Sequence, residues 1–366
     1  MLYIVVFLVL LLVGIILFLN LAPTFGGNPS REQKELYKDL NNYSKGKFVN
    51  EIPTSMRMGF VDILSMLKDS FAGGKERSPQ SEITVESINW DKIKAERNSI
   101  TWLGHSSFLL SIDNKKILVD PMLGNIASPV SFVGSKKYRY SESMEKIFNE
   151  MVSIDAVFIS HDHYDHLDYK SIVKLKDKVS HFFVPLGVGS HLIRWGVSKE
   201  KITEVNWWNE IKYKNLTIAL VPSRHFSGRG IFNSNTTLWG GWVIIGENIR
   251  LYISGDGGYG PHFKKIGEKY GAFDLTLIEG AQYDRRWANI HMLPEQAVKA
   301  NLDLRGKKMM LMHWGAFTLA FHGWSEPIER ALLEAKKSEV NLVVPKIGKT
   351  LFIDSELNTS ICSWWK

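Results

Sequence analysis

The stretch Ala156-Val157-Phe158-Ile159-Ser160-His161-Asp162-His163-Tyr164-Asp165-His166 decides how the rest of the chain is read. Four apolar residues suited to a strand run, after one serine, into a segment where only Tyr164 is neither histidine nor aspartate. His161 and His163 lie two apart, so an extended backbone points both side chains the same way. Asp165 and His166 fall where the chain is expected to turn, and adjacent residues there can face two different ions. Imidazole together with carboxylate suits zinc or a similar borderline metal better than calcium or magnesium. The competing reading is a polar turn that happens to be rich in histidine. It is disfavoured because three of the chain's eleven histidines fall within six positions. The expectation is a strand that ends in a metal site.

One motif cannot complete two metal sites, so further ligands are sought at the ends of other apolar runs. His225 follows Ile218-Ala219-Leu220-Val221-Pro222. Asp256 follows Leu251-Tyr252-Ile253-Ser254 and has a glycine on each side. His313 follows Met309-Met310-Leu311-Met312. Taken singly, each reads at least as well as a structural residue. Taken with the motif, they extend the candidate metal ligands to His161, His163, Asp165, His166, His225, Asp256 and His313.

Strands are expected at 100–103, 108–112 and 116–119, with Asp113-Asn114 as turn chemistry and Asp120-Pro121 as a stop. Later strands are expected at 216–221, 242–245, 250–253, 275–278 and 309–312. Helices are expected at 169–176, 261–270, 294–300 and 327–337. Helices are too few for a doubly wound sheet, so the fold class is α+β, a mixed β-sandwich with helices on its outer faces.

Residues 2–19 are apolar throughout, and no charged side chain precedes Arg31. Eighteen helical residues span about 27 Å, close to the hydrocarbon thickness of a bilayer. The stretch lacks a basic n-region and exceeds a signal peptide's usual apolar core of roughly 7–15 residues, so an uncleaved transmembrane anchor is expected. Arg31, Lys34 and Lys38 follow it, but the side of the membrane stays open. Pro23 and Gly26-Gly27-Asn28-Pro29-Ser30 read as a linker, and 31–42 as polar and helical. Phe60, Ile63, Leu64, Leu67 and Phe71 recur at helical spacing, which predicts an amphipathic helix over 56–71. Its stripe is expected to pack on the body of the protein rather than lie on a membrane. Gly73-Gly74 and Ser78-Pro79 mark a loop. The organisation expected is an anchor over 1–22, a linker and N-terminal extension over 23–98, the main domain over 99–352 and a tail over 353–366.

The chain of 366 residues is 45% hydrophobic, ample for a large core, and carries a net charge of +7. That balance suits anionic partners such as phospholipid head groups or nucleic acid, between which charge alone does not choose, or simply a solvated basic surface. The single cysteine, Cys362, excludes an intramolecular disulfide.

The motif His161 to His166 with His225, Asp256 and His313 resembles the metallo-β-lactamase superfamily in order and spacing. Trp102-Leu103-Gly104-His105, Asp120-Pro121, Phe183-Val184-Pro185-Leu186-Gly187 and Leu238-Trp239-Gly240 narrow the resemblance. With Gly255-Asp256-Gly257-Gly258-Tyr259 and His313-Trp314-Gly315, they are similar to the family of N-acylphosphatidylethanolamine-hydrolysing phospholipases D and its bacterial relatives. The resemblance implies a four-layered αββα sandwich and two zinc ions, with other divalent transition metals as alternatives. His161, His163 and His225 would hold one ion, Asp165, His166 and His313 the other, and Asp256 both. Histidine at position 163, where oxygen-reducing di-iron members carry glutamate, implies a hydrolase. A water acidified by the metals, to a pKa of about 7, would be its nucleophile. The implied function is cleavage of a phospholipid phosphodiester at a membrane, with no nucleic acid partner and an oligomer compatible. A lactone or another small phosphodiester is the alternative substrate, and a non-catalytic metal-binding membrane module the alternative class.

Asp165, Asp256 and His291 are the candidate catalytic residues, and His105, Asp120 and His322 the candidates to support the site or contact substrate. His291 matches a family histidine near the substrate phosphate. Gly280 to Arg286 is one residue longer than the eukaryotic pattern, and His322 stands one place off the expected position. Arg285 and Arg286 are weighed as phosphate binders against plain surface residues. Trp207, Trp208, Trp239, Trp287 and Trp314 are weighed as acyl-channel residues against core. His181, His191 and His262 are left as structural or exposed.

Overall fold

The computed structural model describes residues 2–55, 58–71, 76–95, 97–151, 153–355 and 363–366. Met56, Gly73-Gly74 and Cys362 lie outside the described residues. The main strands are β1 (Ser99–Trp102), β2 (Phe108–Ile112), β3 (Lys115–Val119), β4 (Ile154–Phe158), β5 (Val179–Pro185), β6 (Ile202–Val205) and β7 (Glu210–Tyr213). They continue with β8 (Leu216–Val221), β9 (Gly241–Ile245), β10 (Arg250–Ile253), β11 (Leu275–Glu279), β12 (Met309–Met312) and β13 (Thr350–Phe352). Among the described residues they form a seven-stranded sheet, β6-β5-β4-β3-β2-β1-β13, and a six-stranded sheet, β7-β8-β9-β10-β11-β12. Strands such as β2 and β12 are buried at every position, because one face meets the other sheet and the opposite face a helical layer. Their uninterrupted apolar runs follow from that. Phe158 of β4 meets Trp242 of β9 edge-on at 5.1 Å, and Trp242 Nε1 donates to the Ile159 carbonyl at 2.9 Å. This contact joins the two sheets directly beneath the His161 motif. The chain is thus an αββα sandwich of class α+β.

Strand direction decides where the ligands meet. β3, β4 and β5 run parallel, as do β10, β11 and β12. Two antiparallel steps relate β1 to β3 and β8 to β10, so these pairs also point the same way. The residues just past β1, β3, β4, β8, β10 and β12 therefore gather at one rim.

Strands β5, β6, β7 and β13 were not among those expected. Glu210-Ile211-Lys212-Tyr213 alternates polar and apolar over only four residues at a sheet edge, a pattern too short to stand out. The expected helix over 31–42 stops at Tyr37, after a capping box between Ser30 and Gln33. The chain then turns through a hairpin pairing Tyr43–Ser44 with Lys47–Phe48.

The 23–98 segment is not a loose extension. Tyr37, Phe48, Ile83, Val85 and Ile93 belong to the same apolar core as the sandwich. Asn50 donates to the His225 carbonyl at 2.8 Å and accepts from the His225 N–H at 3.1 Å, clamping a candidate ligand. The stretch read as a linker is also pressed onto the body. Gly26 has φ 71°, and a Cβ there would lie 2.0 Å from His191 Nδ1. The tail packs as well, since Trp365 is buried and Trp364 stacks on Trp314 at 5.4 Å.

Helix α1 (Leu2–Leu21) is long and apolar enough to cross a membrane and has no buried residue. Its C-terminal carbonyls lack intrahelical partners. Arg194 supplies donors to the Asn20 carbonyl at 2.6 Å, Leu21 at 3.1 Å and Gly26 at 2.7 Å. Helix α2 (Arg31–Tyr37) follows, then helix α3 (Phe60–Phe71). The expectation that the α3 stripe packs on the body is overturned. Phe60 is 74% and Phe71 88% exposed, and the polar side faces inward because Arg286 binds Ser65 and Asp69 there.

Candidate functional site

Short loops after the strands aim the ligand-type side chains. His105, Asp120 and His313 sit at φ 54°, 38° and 73°, left-handed values that cost non-glycine residues energy and cluster at functional sites. Gly255 lets Asp256 in, because a Cβ there would lie 2.7 Å from the Gly240 carbonyl oxygen and 2.9 Å from Ser160 Cβ.

The structure brings the seven candidate ligands together. His161 Nε2 lies 2.8 Å from His163 Nδ1, and His225 Nε2 lies 3.2 Å from the same atom. One ligand atom each from His161, His163 and His225 falls within 4.8 Å of the others, and the same holds for His105, Asp165, His166 and His313. Asp256 stands between the two groups. Its Oδ2 is 3.1 Å from His166 Nε2, 3.9 Å from His161 Nε2 and 4.0 Å from His225 Nε2, while Oδ1 is 3.2 Å from His313 Nδ1.

This donor set fits a cation. His225 Nδ1 donates to the Ile290 carbonyl at 3.0 Å, which leaves a lone pair on the inward Nε2. His166 Nδ1 lies 2.8 Å from Asp120 Oδ2, and His161 Nδ1 2.9 Å from Ser160 Oγ. His225 therefore faces the cluster with an acceptor nitrogen, and Asp256 Oδ1 is buried with no hydrogen-bond partner among the described residues. Burial holds His161, His225 and His313 well below the usual histidine range, in the neutral form that binds metals. Burial would raise Asp256, but His166 and His313 outweigh it and hold the carboxyl well below its usual range. Burial would likewise lower His166, yet Asp256, Asp165 and Asp120 hold it well above. The pocket draws positive charge, as proton or as metal.

Asp120 also accepts from the Ser160 N–H at 2.7 Å and Ser160 Oγ at 2.6 Å, so it orients both the motif's first turn and His166. Outer partners of this kind are worth about 10–100-fold in metal affinity. Asp120→Ala is expected to weaken metal binding by that factor, as read by competition against a metal-chelating dye. His105 contacts both the site and the backbone. Its Nε2 is 2.9 Å from Asp165 Oδ2, and its N–H and carbonyl pair with Trp314 and His313.

His291 lines the cavity above the cluster, its ring stacked on His313 at 5.3 Å. Its Nδ1 is 3.2 Å from Glu279 Oε1, a residue the sequence reading missed. Glu279 is fully buried and accepts from the Met292 N–H at 3.0 Å. Burial pushes its carboxyl up to about 7, against the pull of His291. The signal was present, since Glu279 is also a polar residue closing an apolar run. His322 does not join the site. Its ring stacks on Tyr283 at 4.4 Å and its Nδ1 meets the Gly323 carbonyl, away from the cavity lining. Arg286 is no free phosphate fork either, because Asp284 takes it bidentately at 2.7 and 2.6 Å and Asp69 takes the rest. Of the weighed tryptophans, Trp287 lines the cavity, whereas Trp207, Trp239 and Trp314 are core.

The cavity encloses about 480 Å³. His163, Asp165, Asp256 and His313 form its polar floor, and Met58, Met66, Phe226, Trp287 and Leu319 wall it with apolar surface.

Comparison with known proteins agrees with this geometry. Residues 115–314 match the model of the beta-lactamase superfamily domain. An uncharacterised Mycobacterium tuberculosis protein is 39% identical over 330 residues, 89% of this chain and 87% of that one. N-acyl-phosphatidylethanolamine-hydrolyzing phospholipase D 1 of Caenorhabditis elegans is 35% identical over 253 residues, 65% of this chain and 70% of that one. Among solved structures, the metallo hydrolase Igni18 of Ignicoccus hospitalis shares the fold at TM-score 0.55 and 23% identity. That match covers 69% of this chain and 97% of Igni18.

Proposed function

We propose, because the chain belongs to the beta-lactamase superfamily and is one of its metal-dependent hydrolases, that it cleaves a phosphodiester of a membrane phospholipid while α1 anchors it in the bilayer. The observation that carries this reading is the cavity, which sets a cation-fitting floor against apolar walls. A phospholipid presents the matching pair, a phosphodiester and acyl chains. The similarity to the Caenorhabditis elegans phospholipase D supports the same substrate class. The domain division follows suit, with α1 as anchor and the sandwich, including the packed 23–98 segment, as the hydrolase.

His161, His163 and His225 would hold one zinc ion, and Asp165, His166 and His313 the other, with Asp256 facing both. Two such ions supply Lewis acidity toward the phosphoryl oxygens and an acidified water. The chain's own side chains do the rest. His105 fixes the Asp165 carboxylate, and Asp120 fixes the His166 ring. Phe226 and Trp287 wall the floor with apolar surface. His291, held at Nδ1 by Glu279, turns its ring to the cavity and donates a proton toward the oxygen that leaves.

His291→Ala is expected to lower kcat by about 10²-fold. Glu279→Gln keeps the ring but removes its ionic partner, so its loss should be smaller. Steady-state kinetics on N-acylated phosphatidylethanolamine in mixed micelles checks both. The reading as a whole is tested with the full chain on vesicles of that lipid, with and without a chelator. Metal-sensitive release of phosphatidic acid is the expected result, and its absence would remove the substrate assignment.

A further inference from the structure

Helix α3 is amphipathic in reverse. Phe60, Val61, Leu64, Leu67 and Phe71 are 50–88% exposed. Asp62, Ser65 and Asp69 occupy the other side, with Met66 on its flank, and there Arg286 donates to Ser65 Oγ at 3.3 Å and to Asp69 Oδ2 at 2.8 Å. Arg77 reaches the Asp69 carbonyl at 2.7 Å. Burying a leucine or phenylalanine side chain is favourable, so a helix left to water would turn these residues inward. Polar ties to the body hold them out, and an apolar phase must meet them.

Two further features point to the identity of that phase. The segment His225 to Asn233 starts at the metal cluster and ends against the foot of α1, where Ile231 and Phe232, 70% and 87% exposed, border a recess with Ile16 and Leu19. Phe226 of that segment and Met66 of α3 line the same cavity. One short segment thus runs from the cavity that Met66 of α3 lines to the recess at the foot of α1. Lys68 and Arg285 stand exposed on α3 and on the loop beside it, suited to anionic head groups.

We propose that α3 lies in the headgroup–acyl boundary of the bilayer that receives α1, apolar face down, and forms the edge over which lipid enters the cavity. This rests on the phospholipid reading for the identity of the apolar phase. A twelve-residue helix, about 18 Å long, with a one-sided apolar stripe and flanking cations has the form of an interfacial helix. Arg286, joining cavity wall and α3, holds the two in register.

The test uses the full chain carrying Cys362→Ser and single cysteines at Leu64→Cys or Phe71→Cys, each bearing an environment-sensitive fluorophore. The protein is reconstituted in phosphatidylcholine–phosphatidylglycerol vesicles with and without a doxyl-labelled lipid. Leu10→Cys in α1 is the immersed reference, and Leu333→Cys, exposed on the helix Glu326–Lys337, the aqueous one. Expected are blue-shifted emission and lipid-borne quenching at both α3 sites, as at Leu10, with neither at Leu333. Water-like, unquenched emission at both α3 sites overturns the proposal. Blue-shifted emission that the doxyl lipid does not quench also overturns it, because a protein surface, such as a second copy of this chain, then covers α3. Failure to hydrolyse N-acylated phosphatidylethanolamine would remove the substrate assignment and leave this readout intact.

Discussion

Asp256→Ala is expected to lower turnover by about 10³-fold or more while the sandwich stays folded. Asp256 is the side chain that faces both ligand groups, with Oδ2 toward His161, His166 and His225 and Oδ1 toward His313. Its loss takes a negative charge from the centre of the pocket and separates the groups into two weaker sites. Metal ions supply several kcal/mol of transition-state stabilisation, and 1.36 kcal/mol is tenfold in rate, which sets the magnitude. Folding should survive, because the sheet interface around Trp242 and Phe158 lies beneath the rim and does not use this carboxylate. Metal content by atomic emission is expected to fall below that of the parent chain, with an unchanged circular dichroism spectrum. Parental turnover in the variant would show that the two groups do not act as one site.

Chelation carries the second large effect. Stripping the metal is expected to abolish turnover and to lower Tm by on the order of 10 °C, with both restored by added zinc. A ligand present at 100 times its Kd stabilises by about 2.7 kcal/mol, and two such sites contribute about 5 kcal/mol. Each kcal/mol moves Tm by roughly 2–4 °C in a domain of this class. The candidate ligands come from loops after β4, β8, β10 and β12, so metals held there would tie both sheets together at the rim. Differential scanning calorimetry with and without chelator checks the shift. An unchanged Tm would mean that the cluster holds no metal in the purified protein.

Much of this was legible in the sequence for a definite reason. Strands such as β8 and β12 are buried on both faces, so they appear as unbroken apolar runs with sharp ends. Because the strands that carry site residues point the same way, a polar residue closing such a run lies at the shared rim. That regularity marks His161, His225, Asp256 and His313, and it extends to Glu279, which was passed over only because no motif surrounds it. Edge strands such as β7 were not legible, because four alternating residues carry too little signal.

The sequence by itself determined a mixed sandwich with helices outside, the candidate ligand set and the apolar length of α1, since local periodicity and motif spacing encode them, while the αββα layering was implied by the family resemblance. Only the tertiary structure decided that Gly26 to Ser30 is clamped rather than loose, that Arg286 is spent on Asp284 and Asp69, and that His322 faces Tyr283. It alone also decided the facing of α3. An amphipathic pattern states that a helix has two sides but not which side meets the body. Here a side chain 217 positions away, Arg286, binds Asp69 and turns the apolar side out. Partners that distant in the chain leave no periodic trace for a sequence to carry.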